Sequence, residues 1–238
     1  MPLIPQKTFA QHSQEYIKQL TEIFQSFDHR TLEKIIEILE EAYQSEQSVY
    51  FAGNGGSAST CGHFINDLNA VFLKLGTRAM NLFDLTANTA TVTALANDTG
   101  YENIFLNQIA NRIKPGDILM VISASGNSLN LIKAGEHAQK IKAKVIGFLG
   151  FDGGSLNDIC DVAFIAHTPI GQYGPAEDIH LIISHLIASY LFLKFARETE
   201  MSDLAIKELV SFPLPLIAQG IKTNHENPDY RRRRIYRQ

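Results

Sequence analysis

Five short apolar segments alternate along the chain with longer segments in which apolar residues recur every three or four positions. The apolar segments are SVYFAG (48–53), RAMNLFDL (78–85), DILMVISAS (117–125), KVIGFLGF (144–151) and DVAFIAH (161–167). Segments that are apolar throughout are typical of parallel strands buried on both faces, and the periodic segments between them are typical of helices. The pattern predicts an α/β fold in which helices cover both faces of a parallel sheet.

The periodic segments predict where the helices lie. Residues 9–27 and 31–45 form a predicted N-terminal helical pair, with Thr31 as the expected N-cap of the second helix. Further helices are expected over 86–98 and 101–113, and a long one should begin near Pro175. Two more should begin after glycine-containing turns, near Ser57 and after residues 126–128. We expect one domain over residues 1–197, followed by a C-terminal extension over 198–238.

The most apolar stretch, LIISHLIASYLFLKF (181–195), is predicted to be a buried core helix. It is shorter than the ~20 residues that a bilayer span needs, and it contains His185. The N-terminus has no basic segment followed by an apolar one, so secretion is not expected. Cys61 and Cys160 are too few for a disulfide framework. These features predict a cytoplasmic protein with two reduced thiols and no membrane segment.

Charge adds one local feature to this picture. The net charge of −4 gives no whole-chain case for nucleic acid binding. A basic tail follows an acidic body, and its arginines are Arg231, Arg232, Arg233, Arg234 and Arg237. Such a run resembles a nucleic acid patch, but at a terminus we interpret it as a solvated tail. The preceding SFPLPLIAQG (211–220) is expected to pack on the body or on another subunit.

Two glycine- and serine-rich turns follow predicted strands. YFAGNGGSAST (50–60) fits neither a dinucleotide-binding G-x-G-x-x-G motif nor a P-loop, which needs a lysine. ISASGNSLN (122–130) places Ser123, Ser125 and Ser128 around a glycine. Each turn offers backbone N–H groups at a helix N-terminus, which suits an anion. The turns therefore predict either a phosphate monoester held by neutral donors or two tight turns with N-caps.

Histidine and carboxylate spacing indicates metal or acid–base chemistry. His63 and Asp67 are four residues apart on one predicted helix, so they share a face and could share an ion. Glu177 and His180 also have ligand spacing, but we interpret His180 as structural. Glu177 and His185 are separated by about 12 Å on a straight helix. They could hold one ion only if Glu177 lies on a distorted first turn or if the two come from different subunits.

Five motifs taken together resemble those of sugar-isomerase (SIS) domains. GNGGSAST, HFINDL, ANDTGYENIF, ISASGNS and HLIISHLI occur in the order and approximate spacing of that family. The resemblance covers roughly residues 5–197 and is strongest to the phosphoheptose isomerases. It implies a flavodoxin-like sheet and the conversion of sedoheptulose 7-phosphate to D-glycero-D-manno-heptose 7-phosphate. It also implies a homotetramer whose active sites lie between subunits.

The resemblance implies roles for individual residues. Ser123, Ser125 and Ser128 would hold the phosphate, with Ala124 where threonine is common. The residues implied to line the sugar site are Asn54, Gly55, Ser57, Asp98 and Glu177.

The resemblance also implies the chemistry. Asp67 would be the base that moves a proton between carbons through an enediol, and His185 would serve the oxygens. Family members that bind zinc imply one zinc ion per subunit, held here by His63, Asp67, Glu177 and His185.

Two departures from the family pattern bear on substrate and metal. Asp67 is one methylene shorter than the family's glutamate, which moves the carboxylate by about 1.5 Å. Glu177 replaces a neutral glutamine. A binding protein is the main alternative, either of the type that associates with the bacterial replication initiator or a sugar-phosphate sensor. The first type lacks the final histidine, and a sensor would need the serines but not Asp67. The presence of His63, Asp67 and His185 together therefore favours an enzyme.

Overall fold

The sheet consists of the five predicted strands, all of them parallel. A computed structural model describes residues 7–199 and 201–206. The strands are β1 (Ser48–Gly53), β2 (Asn81–Asp84), β3 (Ile118–Ser123), β4 (Lys144–Gly150) and β5 (Val162–Ala166). Their order in the sheet is β2-β1-β3-β4-β5. The α/β class and the parallel sheet predicted from the apolar pattern are confirmed.

Seven α-helices and one short 3₁₀ helix lie within residues 7–199. They are α1 (Phe9–Gln25), α2 (His29–Gln44), α3 (Gly56–Leu75), α4 (Thr89–Thr99), the 3₁₀ helix (Tyr101–Asn103), α5 (Ile104–Ile109), α6 (Leu129–Lys140) and α7 (Tyr173–Glu198). The predicted helical pair at the N-terminus is confirmed as α1 and α2. The predicted N-cap of α2 is wrong: Asp28 caps the helix, because its side chain accepts hydrogen bonds from both the N–H and the hydroxyl of Thr31.

The sheet divides the apolar residues into two cores. Alternate strand residues face opposite sides, so Val49 and Phe51 join the core formed with α2, α3 and α7. Tyr50 and Ala52 join the core formed with α5 and α6. The strand order reverses between β1 and β3, and the chain after β1 enters α3 while the chain after β3 enters α6. Ligands of such sheets bind in the crevice at this switch point.

The longest helix, α7, covers one face of the sheet. It has 26 residues, twelve of them buried, and it packs chiefly against α3. Among the described residues it is the single helix long and apolar enough to cross a membrane, and 56% of its most apolar window is buried in the protein. The helix is thus longer than the apolar run noticed in the sequence. Its burial agrees with the prediction of a core helix.

The predicted domain boundary falls at the end of this helix. α7 ends at Glu198, one residue after the expected limit of the domain. The apolar segment 211–220 and the C-terminal arginines lie outside the described residues. The division into a domain and an extension therefore stays a prediction.

Candidate functional site

Two loops leave neighbouring strands side by side at the switch point. Gly53 of β1 pairs with Ile122 of β3, so the Gly loop (residues 53–57) and the Ser loop (residues 123–128) begin next to each other. The Gly loop enters α3 through Gly55, whose φ of +55° belongs to the left-handed region that favours glycine. Ser57 is buried in the first turn of α3. Both loops therefore lie at the same edge of the sheet, at the carboxyl ends of β1 and β3.

The Ser loop keeps its three hydroxyl groups free to donate. Ser123 Oγ accepts from the N–H of Gly126 at 3.1 Å, and Ser125 Oγ accepts from the N–H of Asn127 at 3.3 Å. Ser128 is the N-cap of α6, yet its side chain makes no capping hydrogen bond. Because all three hydroxyl protons lack an acceptor among the described residues, the loop can donate to an oxyanion at the helix N-terminus.

A pair of asparagine side chains joins the two loops. Asn54 Nδ2 donates to Asn130 Oδ1 at 3.0 Å, and Asn130 Nδ2 donates back to Asn54 Oδ1 at 2.9 Å. The hydroxyl of Tyr101 donates to the same Oδ1 at 2.8 Å. Sequence reasoning predicted Asn54 as a site residue but missed Asn130 and Tyr101, although both lie in or beside the motifs that carry the resemblance.

His63, Asp67 and His185 form a cluster at the outer surface of α3 and α7. The two imidazole Nε2 atoms lie 2.7 Å apart, and Asp67 Oδ2 lies 3.3 Å from His63 Nε2 and 3.6 Å from His185 Nε2. The side chain of Asp67 is 17% exposed, whereas those of His63 and His185 are 44% and 51% exposed. The structure thus brings together three of the four predicted metal ligands within one chain.

The donor set of this cluster suits zinc. Imidazole nitrogens and a carboxylate oxygen are common Zn²⁺ ligands, and tetrahedral bonds of about 2.0–2.1 Å place donor atoms about 3.3 Å apart. The two Asp67 distances are close to that value, and the imidazole nitrogens would have to separate by about half an ångström. Three protein ligands leave a fourth tetrahedral position for a further ligand.

Glu177 lies elsewhere in the same chain. Its carboxylate contacts the start of α3: a Cβ placed on Gly56 would lie 2.3 Å from Glu177 Oε2. α7 begins at Tyr173 and runs as a regular α-helix through both Glu177 and His185, so the two residues are separated by about 12 Å of helix. A distorted first turn is therefore not available to bring them together. Glu177 joins the ligand set only through a second subunit, and its ligand role stays a prediction.

Other polar groups surround the start of α7. Tyr16 of α1 donates to Asp178 Oδ2 at 2.6 Å, and burial together with Asp178 raises the pKa of Tyr16 to about 12.

The predicted site residue Asp98 is exposed in the last turn of α4, where the side chain of Asn97 donates to it at 2.8 Å. Within the described residues no hydrogen bond links Asp98 to either loop, so its role stays a prediction.

His180 belongs to the core. It is fully buried, and its Nε2–H donates to the carbonyl of Leu149 at 2.9 Å. Burial lowers the pKa of His180 to about 4. The structural interpretation of this histidine from sequence agrees with its position, and the residue takes no part in the His63–Asp67–His185 cluster.

Comparison with known proteins gives consistent matches. A family model described as SIS domain matches residues 14–150. Phosphoheptose isomerase of Aliarcobacter butzleri is 34% identical over 185 residues, which cover 78% of this chain and 94% of that protein. Phosphoheptose isomerase of a Nitratiruptor species is 36% identical over 151 residues, which cover 63% of this chain and 79% of that protein. Among solved structures, phosphoheptose isomerase from Neisseria gonorrhoeae superposes with a TM-score of 0.67 at 26% identity, covering 76% of this chain and 94% of that one.

Proposed function

We propose a function for this chain from its family, because the chain belongs to the phosphoheptose isomerases, a group of SIS domain proteins. The protein is an aldose–ketose isomerase, and its substrate is sedoheptulose 7-phosphate, which it converts to D-glycero-D-manno-heptose 7-phosphate. The observation that carries this proposal is the His63–Asp67–His185 cluster. Its residues lie on α3, which begins at the Gly loop, and on α7, which packs against α3.

The Ser loop binds the phosphate. Ser123, Ser125 and Ser128 donate to its oxygens, and the partial positive charge at the N-terminus of α6 adds to the attraction. Ala124, between the first two serines, contributes its backbone. Asn54, Gly55, Ser57 and Asp98 line the sugar chain. This assignment is supported by the three serine hydroxyl groups, which donate to no acceptor within the described residues, and by the position of the loop at the switch point.

Asp67 and His185 carry out the proton transfers. Asp67 removes a proton from C1 of the ketose while His185 gives one to the C2 oxygen, which produces the enediol. Asp67 then returns a proton to C2 as His185 accepts the proton of the C1 oxygen, which produces the aldose. Their proximity, 3.6 Å between Asp67 Oδ2 and His185 Nε2, supports a shared site for both groups.

His63, Asp67 and His185 would hold a zinc ion, one per subunit, and Glu177 of another subunit would complete the set. A bound zinc ion supplies Lewis-acid polarisation of the substrate carbonyl. The chain's own contribution is to direct both Nε2 atoms and one carboxylate oxygen to one point.

The protein assembles as a homotetramer in the cytoplasm. The outer face of α7 exposes Leu186, Tyr190 and Leu193, which have helical spacing. Sedimentation equilibrium should give a tetramer for the wild type and smaller species for Tyr190→Glu. A fully active wild-type monomer would contradict this arrangement.

The kinetic test compares Asp67→Asn and His185→Ala with Asp158→Asn, which removes an exposed carboxylate on the β4–β5 loop. Positioned acid–base groups contribute about 10²–10⁴-fold, so each of the first two variants should lose at least 10²-fold in kcat on sedoheptulose 7-phosphate. Asp158→Asn should keep its activity. Substrate binding should persist in Asp67→Asn, because the phosphate contacts lie on another loop. Wild-type kcat in both site variants would refute the mechanism.

The alternative from the sequence, a binding protein without catalytic activity, is not favoured by the phosphoheptose isomerase relatives. It predicts that the wild-type chain binds sugar phosphates but does not interconvert them, with or without zinc. The same assay therefore separates the two functions.

A further inference from the structure

We propose that Asn130 is a positioning residue that acts through Asn54, fixing which hydrogen-bonding group Asn54 presents to the sugar phosphate. Asn130 lies in the first turn of α6, two residues after Ser128, and it is only 2% exposed. A group so buried does not itself reach a ligand. The inference rests on the proposed function, because it concerns the same substrate site.

The reciprocal bond between the two amides sets the orientation of Asn54. Its Oδ1 accepts one hydrogen bond from Asn130 and one from Tyr101, which fills both lone pairs of that oxygen. Its Nδ2 uses one N–H on Asn130 Oδ1. The second N–H of Asn54 has no acceptor in the part of the chain that the structure describes. Asn54 can therefore offer a ligand a donor but not an acceptor, so it recognises an oxygen with a free lone pair.

The pair also fixes the spacing between the two loops. Asn54 and Asn130 are 76 residues apart in the chain and lie on opposite sides of the switch point between β1 and β3. The backbones that they join carry the groups proposed to bind the sugar and the phosphate. A ligand that spans the loops needs both at a set separation, and displacements of about 1 Å can cost 10²-fold in rate.

Tyr101 is held in place by contacts between its 3₁₀ helix and α6. Lys133, one turn beyond Asn130, donates to Asn103 Oδ1 at 3.0 Å, and its ammonium lies 3.7 Å from Glu102 Oε1. These contacts anchor the 3₁₀ helix of residues 101–103 against α6. The tyrosine hydroxyl, on a side chain that is 56% exposed, therefore stays on the Asn54 amide.

A double-mutant cycle tests whether Asn130 acts through Asn54. kcat/KM on sedoheptulose 7-phosphate and the Kd for the same compound are measured for the wild type, Asn54→Ala, Asn130→Ala and the double variant, at a temperature where all are folded. Asn130→Ala should lower kcat/KM by about tenfold, the effect of one to two neutral hydrogen bonds. The double variant should be no worse than Asn54→Ala alone. Tyr101→Phe should act in the same direction with a smaller effect.

Asn81→Ala is the matched control, because Asn81 donates one side-chain hydrogen bond to the carbonyl of Glu46 at the other end of the sheet. Its effect should be small and should add to that of Asn54→Ala. Additive losses for Asn54→Ala and Asn130→Ala, or wild-type kcat/KM in Asn130→Ala, would overturn the inference while leaving the isomerase proposal intact. If the wild type binds without turnover, the isomerase proposal fails and the Kd cycle decides the inference alone. A wild-type chain that neither binds nor converts sedoheptulose 7-phosphate would overturn both the isomerase proposal and this inference.

Discussion

His180 should make the stability of the protein depend on pH in a defined window. The residue lies on α7, fully buried against the end of β4, and its pKa is lowered to about 4 by burial, which outweighs the hydrogen bond to Leu149. In the unfolded chain a histidine titrates near 6.5. The unfolded state therefore binds more protons than the folded state between those two values. Stability is then fully present above about pH 6.5 and is lost as the pH falls toward about 4.

The magnitude follows from the two pKa values. The difference between a pKa of about 6.5 in the unfolded chain and about 4 in the folded one corresponds to about 3 kcal/mol of free energy of unfolding, of which about 2 kcal/mol should already be lost at pH 5. The perturbation that isolates this term is His180→Gln. Its side-chain amide can still donate to the Leu149 carbonyl, and it does not titrate.

The assay is urea unfolding of both proteins at several values between pH 7 and pH 4.5, at one protein concentration. The difference in free energy of unfolding between wild type and His180→Gln should shift by about 2 kcal/mol in favour of the variant between pH 7 and pH 5. Other titrating groups cancel in this difference. His12→Gln, which replaces an exposed histidine of α1, should show no such shift. Parallel pH dependences for wild type and His180→Gln would refute the reasoning.

Three further predictions concern the Ser loop and the cysteines. Ser125→Ala should weaken the binding of sedoheptulose 7-phosphate by about 1.5–3 kcal/mol, measured by calorimetry, since it removes a donor to a charged acceptor; unchanged affinity would place the phosphate elsewhere. Gly126→Ala should lower the free energy of unfolding by about 2–4 kcal/mol, because its φ is +63° and its Cβ would lie 1.9 Å from the Gly153 carbonyl oxygen. Gly171→Ala, with a φ of +90° and no atom within 4 Å, is the control and should lose only about 1 kcal/mol. Cys61 is fully buried and the pKa of Cys160 is raised to about 12, so neither thiol should react rapidly with Ellman's reagent at pH 8, whereas both should react in urea. A fast phase in the folded protein would contradict the described burial.

The strands were predictable because the apolar pattern is a local property of the chain. β1 was predicted at its observed limits, and β3, β4 and β5 within one or two residues of theirs. β2 was predicted too long, at 78–85 instead of Asn81–Asp84. It is one of the two edge strands, and its exposed and half-exposed residues give a weaker apolar signal than those of a central strand.

The site was less predictable because its contacts depend on how elements align. Sequence spacing placed His63 and Asp67 on one face of α3. The position of Glu177, in contrast, depends on how α3 and α7 align. The two helices run alongside each other in the same direction, which places Glu177 beside Gly56 and His185 beside His63. The pairing of Asn54 with Asn130 depends on the register between β1 and β3. Neither relation can be read from periodicity in a single segment.

The position of α7 in the chain has a consequence for synthesis on the ribosome. All five strands precede α7, yet α7 supplies much of the apolar cover on one face of the sheet, including Ile179, Ile183, Ile187 and Leu191. A nascent chain therefore carries a complete set of strands with that face partly bare until the 32 residues from the end of β5 at Ala166 to the end of α7 at Glu198 are added (198 − 166 = 32). At about 5–20 residues per second this takes about 2–6 s. During that interval the chain is most exposed to aggregation and most in need of chaperone protection.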